Sequence, residues 1–194
     1  MYVSLPEKIA AVSAVFTDLD SAIAEFQTVS GMDCFFGCGQ CCTKPDIEAS
    51  IIEFLPLAKQ HYDEGNAEQM YDLLSVDSPD PICINFKHHA NQEDLGRCTQ
   101  YTNRGLICRL FGYSARIDKY GQHELVTCAR IKEESPKAYQ KGATHVKRGG
   151  EVPVMSNYYR QLQSIDFELA NERLPINEAM LEALKTVMAY YAYR

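Results

Sequence analysis

The sequence has no excess of positive charge and no long apolar run. Its 194 residues include 19 Lys and Arg against 26 Asp and Glu, a formal net charge of −7. An acidic chain without a Lys/Arg run is a poor candidate for binding nucleic acid or anionic lipid through charge. The longest apolar run near the end covers only 187–193, too short to cross a bilayer. We therefore expect neither nucleic acid nor a membrane among its partners.

The sequence also lacks the marks of export and of several common active sites. The first eight residues have no basic start followed by an apolar core, so we expect no signal peptide and a reducing, cytoplasmic location. No Ser-His-Asp order, phosphate-binding glycine loop or paired-Asp motif is present, so the catalytic residues are unknown and enzymatic activity is left open. An apolar content of 46% excludes wholesale disorder, and the length favours one domain.

Eight cysteines are the most informative feature of the chain, and four of them fall within nine residues. They are Cys34, Cys38, Cys41, Cys42, Cys83, Cys98, Cys108 and Cys128. Disulfides suit small secreted chains, and this chain is larger and shows no export signal. Scattered core thiols would not crowd into so short a segment. The clustering instead favours metal ligation.

Thiolates bind zinc, iron and iron–sulfur clusters, and ligands separated by two or three residues let a tight loop wrap one ion. Gly37 and Gly39 lie between the first cysteines and permit such a wrap. We therefore predict all eight cysteines as ligands, at one or two sites. Because neighbouring side chains point in different directions, we expect Cys41 and Cys42 to face separate sites, or one of them to lie outside the ligand shell. Zinc and iron are both left open.

Hydrophobic periodicity predicts a mostly α-helical chain with irregular cysteine-rich loops and one small β-hairpin, forming a single metal-stapled domain over 1–194. The cysteine core is expected at about 31–130 and a closing helical pair at about 156–193. The predicted elements are a helix from a Ser4–Glu7 capping box to Gly31, a helix restarting at Thr43–Asp46 and broken at Pro56, a turn at Ser78–Pro81, a strand at Ile82–Phe86, a hairpin around Lys119–Gln122, a helix from Pro136, and helices at Ser156–Asn171 and Asn177–Tyr193.

The ordered cysteine pattern resembles a known family. The residues that carry the resemblance are Cys34…Cys38-Gly-Gln-Cys41-Cys42, then Cys83, then Gly96-Arg-Cys98-Thr-Gln-Tyr101…Arg104…Cys108-Arg109-Leu-Phe111. This pattern is similar to the YkgJ-type cysteine-cluster family, described as zinc- or iron-chelating, and it spans about 34–130. The chain departs from the family at Gly105, where proline is common.

The resemblance implies a supporting shell of cations and aromatic rings around the metal, formed by Tyr101, Arg104, Arg109 and Phe111. Proteins similar to this family include a flagellin lysine N-methylase, which implies methyl transfer to a protein lysine as an alternative activity. The sequence thus predicts a metal-binding protein that holds zinc or an iron–sulfur centre. An iron–sulfur-dependent lysine methyltransferase and a thiol redox or electron-transfer protein stay open as alternatives.

Two further groups of residues have two interpretations each. His88 and His89 follow Cys83 closely enough to reach a metal, or they are exposed loop residues. The tyrosine pairs at 158–159 and 190–191 pack in the core of the closing helices, or they form a surface for another protein.

Overall fold

The computed structural model describes residues 4–76, 82–89 and 92–193, so the turn predicted at 78–81 lies outside the described residues. The described part is mostly helical with small two-stranded antiparallel sheets, which confirms the predicted fold class. The helices are α1 Leu5–Ser30, α2 Leu55–Asp63, α3 Ala67–Ser75, α4 Leu106–Leu110, α5 Ala129–Glu134, α6 Pro136–Lys147, α7 Met155–Ile165, α8 Phe167–Asn171 and α9 Ile176–Ala192. The strands are β1 Glu48–Ala49, β2 Phe86–His89, β3 Gln92–Cys98, β4 Ser114–Ile117, β5 His123–Val126 and β6 Leu174–Pro175.

Helix α1 begins and ends as its sequence predicts. The Ser4 amide donates to Glu7 Oε2 at 3.0 Å, and the Glu7 amide donates to Ser4 Oγ at 3.4 Å. This reciprocal pair satisfies amide groups that a helix start would otherwise leave unpaired. The helix ends at Ser30, and Gly31 follows with a φ of 72°, a conformation that favours glycine.

The helix predicted from Thr43–Asp46 is wrong. The chain there forms turns and the two-residue strand β1, and helical structure begins only with a 3-10 turn at Ile51–Phe54. The reason is a second capping pair, because the amide and the hydroxyl of Ser50 both donate to Glu53 Oε1 at 2.9 Å. Pro56 lies in the first turn of α2, where its missing N–H is harmless, and so does not break the helix.

The chain divides into two compact units, and each is built from separated segments. The first unit comprises residues 1–14, 37–105 and 162–194. Within it α9 packs against α2, α3 and the 3-10 turn, and β1 pairs with β6. Its fully buried side chains include Val12, Ile52, Leu55, Leu162, Leu184 and Val187. The predicted domain bounds stay predictions.

The strand predicted at 82–86 is also wrong, because the chain turns before it pairs. The Phe86 amide donates to the Cys83 carbonyl at 2.9 Å, which closes a turn over 83–86. Strand β2 then begins at Phe86 and pairs antiparallel with β3, with Phe86 opposite Cys98. Strand β3 covers Gln92–Cys98.

The second unit comprises residues 15–36 and 106–161. It contains the β4–β5 hairpin, which confirms the hairpin predicted around Lys119–Gln122, and helix α6, which begins at Pro136 as predicted. Helix α6 approaches α1 at Gly142, where a Cβ would lie only 2.8 Å from Met32 Sδ. Glycine therefore allows this close helix contact.

The two closing helices are confirmed with one correction. Helix α9 runs Ile176–Ala192, close to the predicted span, but the helix predicted at 156–171 is two helices. Asp166 separates them, because its Oδ1 accepts from the Leu169 amide at 3.1 Å and caps α8. Within the ranges that the structure describes, no helix has the length and apolarity needed to span a membrane.

Candidate metal centre

The loop at 37–42, here called the glycine loop, lies directly on the β2–β3 hairpin. The Gly96 amide donates to the Gly37 carbonyl at 3.0 Å. Gly39 has a φ of 59°, and a Cβ there would lie 2.3 Å from the Phe86 ring and 2.7 Å from the Gly96 carbonyl oxygen. Both the backbone conformation and the close approach therefore require glycine at position 39.

This packing brings together cysteines from three separate segments. The Cys42 amide donates to the Gly39 carbonyl at 2.8 Å, which closes the turn that carries Cys41 and Cys42. The Cys83 amide is hydrogen-bonded to the Cys42 carbonyl at 3.4 Å. Cys98 ends strand β3, beside the Phe86 ring on which the glycine loop rests.

The side chains of these cysteines form one group. The Cys42 thiol hydrogen-bonds with the thiols of Cys41 and Cys98, and Cys83 interacts electrostatically with the others. The four-thiol group therefore consists of Cys41, Cys42, Cys83 and Cys98. Cys41 and Cys42 contact each other here, and whether they face separate sites, or one of them lies outside the ligand shell, stays a prediction.

The hydrogen bonds set the charge of the group. The hydrogen bond from Cys42 lowers the pKa of Cys41 to about 7, and the positive charge of Arg104 adds to this. A separate hydrogen bond between Cys42 and Cys98 lowers the pKa of Cys98 to about 7, again with help from Arg104. The pKa of Cys42 is raised because its thiol donates hydrogen bonds to Cys41 and Cys98, and the hydrogen bond to Cys41 has the larger effect. Burial raises the pKa of Cys83 to about 11.

Arg104 and Tyr101, two of the predicted shell residues, lie together beside this group. The Arg104 guanidinium lies 3.9 Å from the centre of the Tyr101 ring, and its Nη1 donates to the Tyr101 carbonyl at 2.9 Å. These contacts hold the cation in place, and its charge acts on both Cys41 and Cys98. Gly105 follows, and a Cβ there would lie 2.9 Å from the Phe54 ring.

Arg109 and Phe111, the other predicted shell residues, lie in the second unit. Arg109 is buried there, forms an ion pair with Asp20, and lies 4.5 Å from the centre of the Phe16 ring. Phe111 is partly exposed. These contacts fix α4 onto α1 within that unit, and a role for either residue around a metal stays a prediction.

The other four cysteines occupy different surroundings. Cys38 is buried in the first unit, whereas Cys34 is exposed and Cys108 half-buried in the second. Cys128 caps α5, because its sulfur accepts from the Ile131 amide at 3.4 Å. The contacts that define the four-thiol group include none of these four, so their assignment as ligands stays a prediction.

The two histidines that follow Cys83 both lie on strand β2. The His88 ring packs edge-on against the Phe86 ring with centroids 4.7 Å apart. His89 covers Gly37, and its Nε2 lies 2.6 Å from the position a Cβ would occupy there. Both histidines therefore help to seat the glycine loop. Sequence reasoning did not single out Phe86, since an aromatic residue in a short apolar segment does not indicate which loop will cover it.

The four-thiol group is assembled but not closed around a common point. Across residues 4–76, 82–89 and 92–193, no three His, Cys, Asp or Glu side chains are arranged to hold a metal ion as they stand. The chemistry of the donor set nevertheless suits zinc or iron, since both ions accept four sulfur ligands. Because a metal binds the thiolate form, the thiol protons must leave before a metal can bind.

A comparison with family models gives one match. Residues 33–135, just over half of the chain, match CxxCxxCC, described as a putative zinc- or iron-chelating domain. The matched range contains all eight cysteines, including every member of the four-thiol group. No curated protein and no solved structure matches the chain.

Proposed function

The chain belongs to the CxxCxxCC family of zinc- or iron-chelating domains, and from this premise we propose that the four-thiol group binds one zinc or iron ion. The ligands are Cys41, Cys42, Cys83 and Cys98. The ion stabilises the first unit by joining the glycine loop to the segment at Cys83 and to the end of strand β3. The resulting biochemical function is metal binding.

One observation carries the proposal. Cys42 is hydrogen-bonded to thiols on either side of it, and one of these, Cys98, lies 56 positions further along the sequence. Packing alone gives no reason to gather four unpaired thiols from three segments, because apolar side chains would fill the same space without polar hydrogens. Four sulfurs in one group match the number of ligands in a closed zinc site.

The charge of the group also supports metal binding. Cys41 and Cys98 each have a pKa of about 7, so each is about half deprotonated at neutral pH. A divalent ion has to displace the protons of Cys42 and Cys83 and those that remain on Cys41 and Cys98. Four thiolates around a divalent ion carry a net charge of −2, and the adjacent Arg104 guanidinium partly offsets it.

Metal analysis of protein purified without air tests the proposal. We expect about one equivalent of zinc or iron in the wild-type chain and a loss of most of it in Cys98→Ser. Cys128→Ser is the matched control, because it makes the same chemical change outside the four-thiol group. Equal losses in both variants, or no metal in the wild type, would contradict the proposal. Visible absorption that bleaches on reduction would identify an iron–sulfur centre rather than zinc.

A thiol redox function is the second candidate, and the exposure of Cys41 supports it. An exposed thiol with a pKa of about 7, beside a second thiol, has the properties of a redox-active cysteine. In this reaction Cys41 would form a disulfide with either Cys42 or Cys98. The two thiols would give two protons and two electrons to one hydrogen peroxide molecule, which becomes two water molecules. A metal-free wild-type protein that forms this disulfide reversibly would favour redox chemistry over metal binding.

A further inference from the structure

Helix α6 and the two glycines after it carry the strongest local positive charge in the chain. Residues 135–150 contain four Lys and Arg and no Asp or Glu, within a chain whose net charge is −7. The rest of the chain therefore has a net charge of −11, since −7 − 4 = −11. A helix with this charge contrast is a candidate surface for an anion.

Three of these cations lie on one face of α6. Lys137, Lys141 and Arg148 are spaced by four and seven residues, so they follow the same side of the helix. They are exposed, and within the described part of the chain none of them forms an ion pair. The opposite side, at Gly142 and Val146, is buried.

The cations surround a cavity that we call the basic cavity. Its volume is about 660 Å³, and the lining includes Lys137, Lys141, Thr144, Arg148 and the backbone of Gly149 and Gly150. The Thr144 hydroxyl can donate to an anion while the cations neutralise its charge. The amides of Gly149 and Gly150 already donate to the Val146 and His145 carbonyls. Thr144 occupies the same helix face as the cations, one turn before Arg148.

A second cavity adjoins the basic cavity at Val29 and His145, which line both. We call it the apolar cavity after Phe26, Val152, Pro153 and Val154, which line one part of its volume of about 400 Å³. Its other lining residues are mostly polar and include Glu25, Glu151, Asn157, Tyr158 and Gln161. These dimensions fall in the range of about 300–1,000 Å³ typical of small-molecule sites. Both cavities lie wholly within the second unit.

We propose that these joined cavities bind a small organic anion whose acidic group contacts Lys137, Lys141 and Arg148 and whose apolar body fills the cavity beside Phe26. The carboxylates of Glu25 and Glu151 repel an anionic group from the apolar cavity, so they fix this orientation. The site uses no cysteine, and it is independent of metal binding.

Two fluorescent probes of matched shape test the site in the full-length protein. Anilinonaphthalene sulfonate carries an acidic group on an apolar body, and phenylnaphthylamine has the same body without the charge. At physiological salt we expect the sulfonate to bind one per chain and at least about tenfold more tightly than the neutral probe. Neutral binding of equal strength, or no binding of the sulfonate, would overturn the proposal.

Charge reversals on α6 locate the acidic group. Lys141→Glu should weaken sulfonate binding by about tenfold or more and leave neutral binding unchanged. Lys147→Glu is the matched control, since Lys147 is exposed on the same helix but does not line either cavity. Equal weakening by both reversals would show a general charge effect and overturn the proposal.

A substitution in the apolar cavity tests its other half. Val152→Asp should weaken the binding of both probes by about tenfold or more, because it introduces charge where the apolar body packs. Val76→Asp is the control, as Val76 is exposed in the first unit. Circular dichroism confirms that each variant folds. Unchanged probe binding in folded Val152→Asp would place the probe elsewhere and overturn the proposal.

Discussion

Cysteines in the two units of this chain have different neighbours although they come from one sequence pattern. In the first unit the Cys42 thiol is hydrogen-bonded to the thiols of Cys41 and Cys98. In the second unit the Cys128 sulfur accepts from a backbone amide and caps a helix. Sequence spacing treats these residues alike, so the difference shows that backbone pairing decides which thiols meet.

The contact that brings these thiols together is the packing of the glycine loop against the β2–β3 hairpin. Gly37 pairs with Gly96, and Gly39 rests on Phe86, which lies opposite Cys98 in the hairpin. This register delivers Cys98 to the loop that carries Cys41 and Cys42. The second unit is held instead by apolar packing and by the ion pair of buried Arg109 with the exposed Asp20.

Metal removal should produce the largest difference between the two units. A chelator is expected to lower the amide-exchange protection of the glycine loop and of β2–β3 strongly, because metal binding to thiolates is worth several kcal/mol or more in small sites. Amide exchange read by mass spectrometry should show little change in α6 and in the β4–β5 hairpin. An equal loss of protection in both units would remove the distinction drawn here.

Gly39→Ala should have the next largest effect. The substitution holds an alanine in the left-handed backbone conformation, which lowers the free energy of unfolding by about 1–2 kcal/mol. The added Cβ also clashes with the Gly96 carbonyl and Phe86, which lowers it by a further amount of about 1–3 kcal/mol. Gly65→Ala is the matched control in the same unit, since Gly65 has a φ of 73° but nothing within 4 Å of the added Cβ. Urea unfolding measures both, and equal losses would show that the loop contact does not stabilise the fold.

Helix boundaries in this chain could be predicted where the deciding groups are local. The Ser4–Glu7 pair, the stop at Gly31 and the start of α6 at Pro136 are all visible in the sequence. Ser50 and Glu53 form the same Ser-x-x-Glu capping pair and could have moved the predicted helix start from Thr43–Asp46 to Ser50. The start at Thr43–Asp46 was predicted only from a cap residue followed by proline. Asp166, likewise, could have indicated the break between α7 and α8.

The membership of the four-thiol group could not be predicted from the sequence. The motif supplied seven of the eight cysteines and suggested Arg104, but the contact of Cys98 with Cys42 depends on the long-range register between Gly37 and Gly96. Adjacent cysteines are expected to diverge in regular structure. Here the turn closed by Cys42 and Gly39 leaves Cys41 and Cys42 side by side.

Cys42→Ala should change how two other thiols titrate in metal-free protein. Removing the Cys42 hydrogen bond should move the pKa of Cys41 and Cys98 from about 7 toward the ordinary thiol value of 9.0. At pH 7 the thiolate fraction of each thiol should therefore fall from about one half toward the roughly one hundredth of an unperturbed thiol, with Arg104 keeping part of the effect.

The measurement for Cys42→Ala is alkylation against pH, with Cys41 and Cys98 resolved by peptide mass spectrometry. Labelling should level off above about pH 7 to 8 in the wild type and continue to rise through pH 9 in the variant. Cys34→Ala is the control, because Cys34 lies outside the four-thiol group. Identical pH profiles in the wild type and Cys42→Ala would contradict the hydrogen-bonded arrangement.

Cys128 should show the smallest effect, through its cap. Cys128→Ala is expected to lower the free energy of unfolding by about 0.5–1 kcal/mol, since the Ile131 amide loses its acceptor. Cys128→Ser should restore most of this stability, because a serine oxygen accepts from the same amide. Thermal unfolding compares the two variants. A large loss in Cys128→Ser that accompanies loss of metal would make Cys128 a ligand.

X-ray absorption spectroscopy of the bound metal tests most directly whether Cys41, Cys42, Cys83 and Cys98 share one ion. For the wild-type chain we predict a first shell of four sulfur atoms, at about 2.3 Å for zinc. In Cys98→Ser we predict three sulfur atoms and one lighter atom in whatever metal remains. A wild-type shell dominated by nitrogen or oxygen, or a four-sulfur shell that persists in Cys98→Ser, would contradict the account.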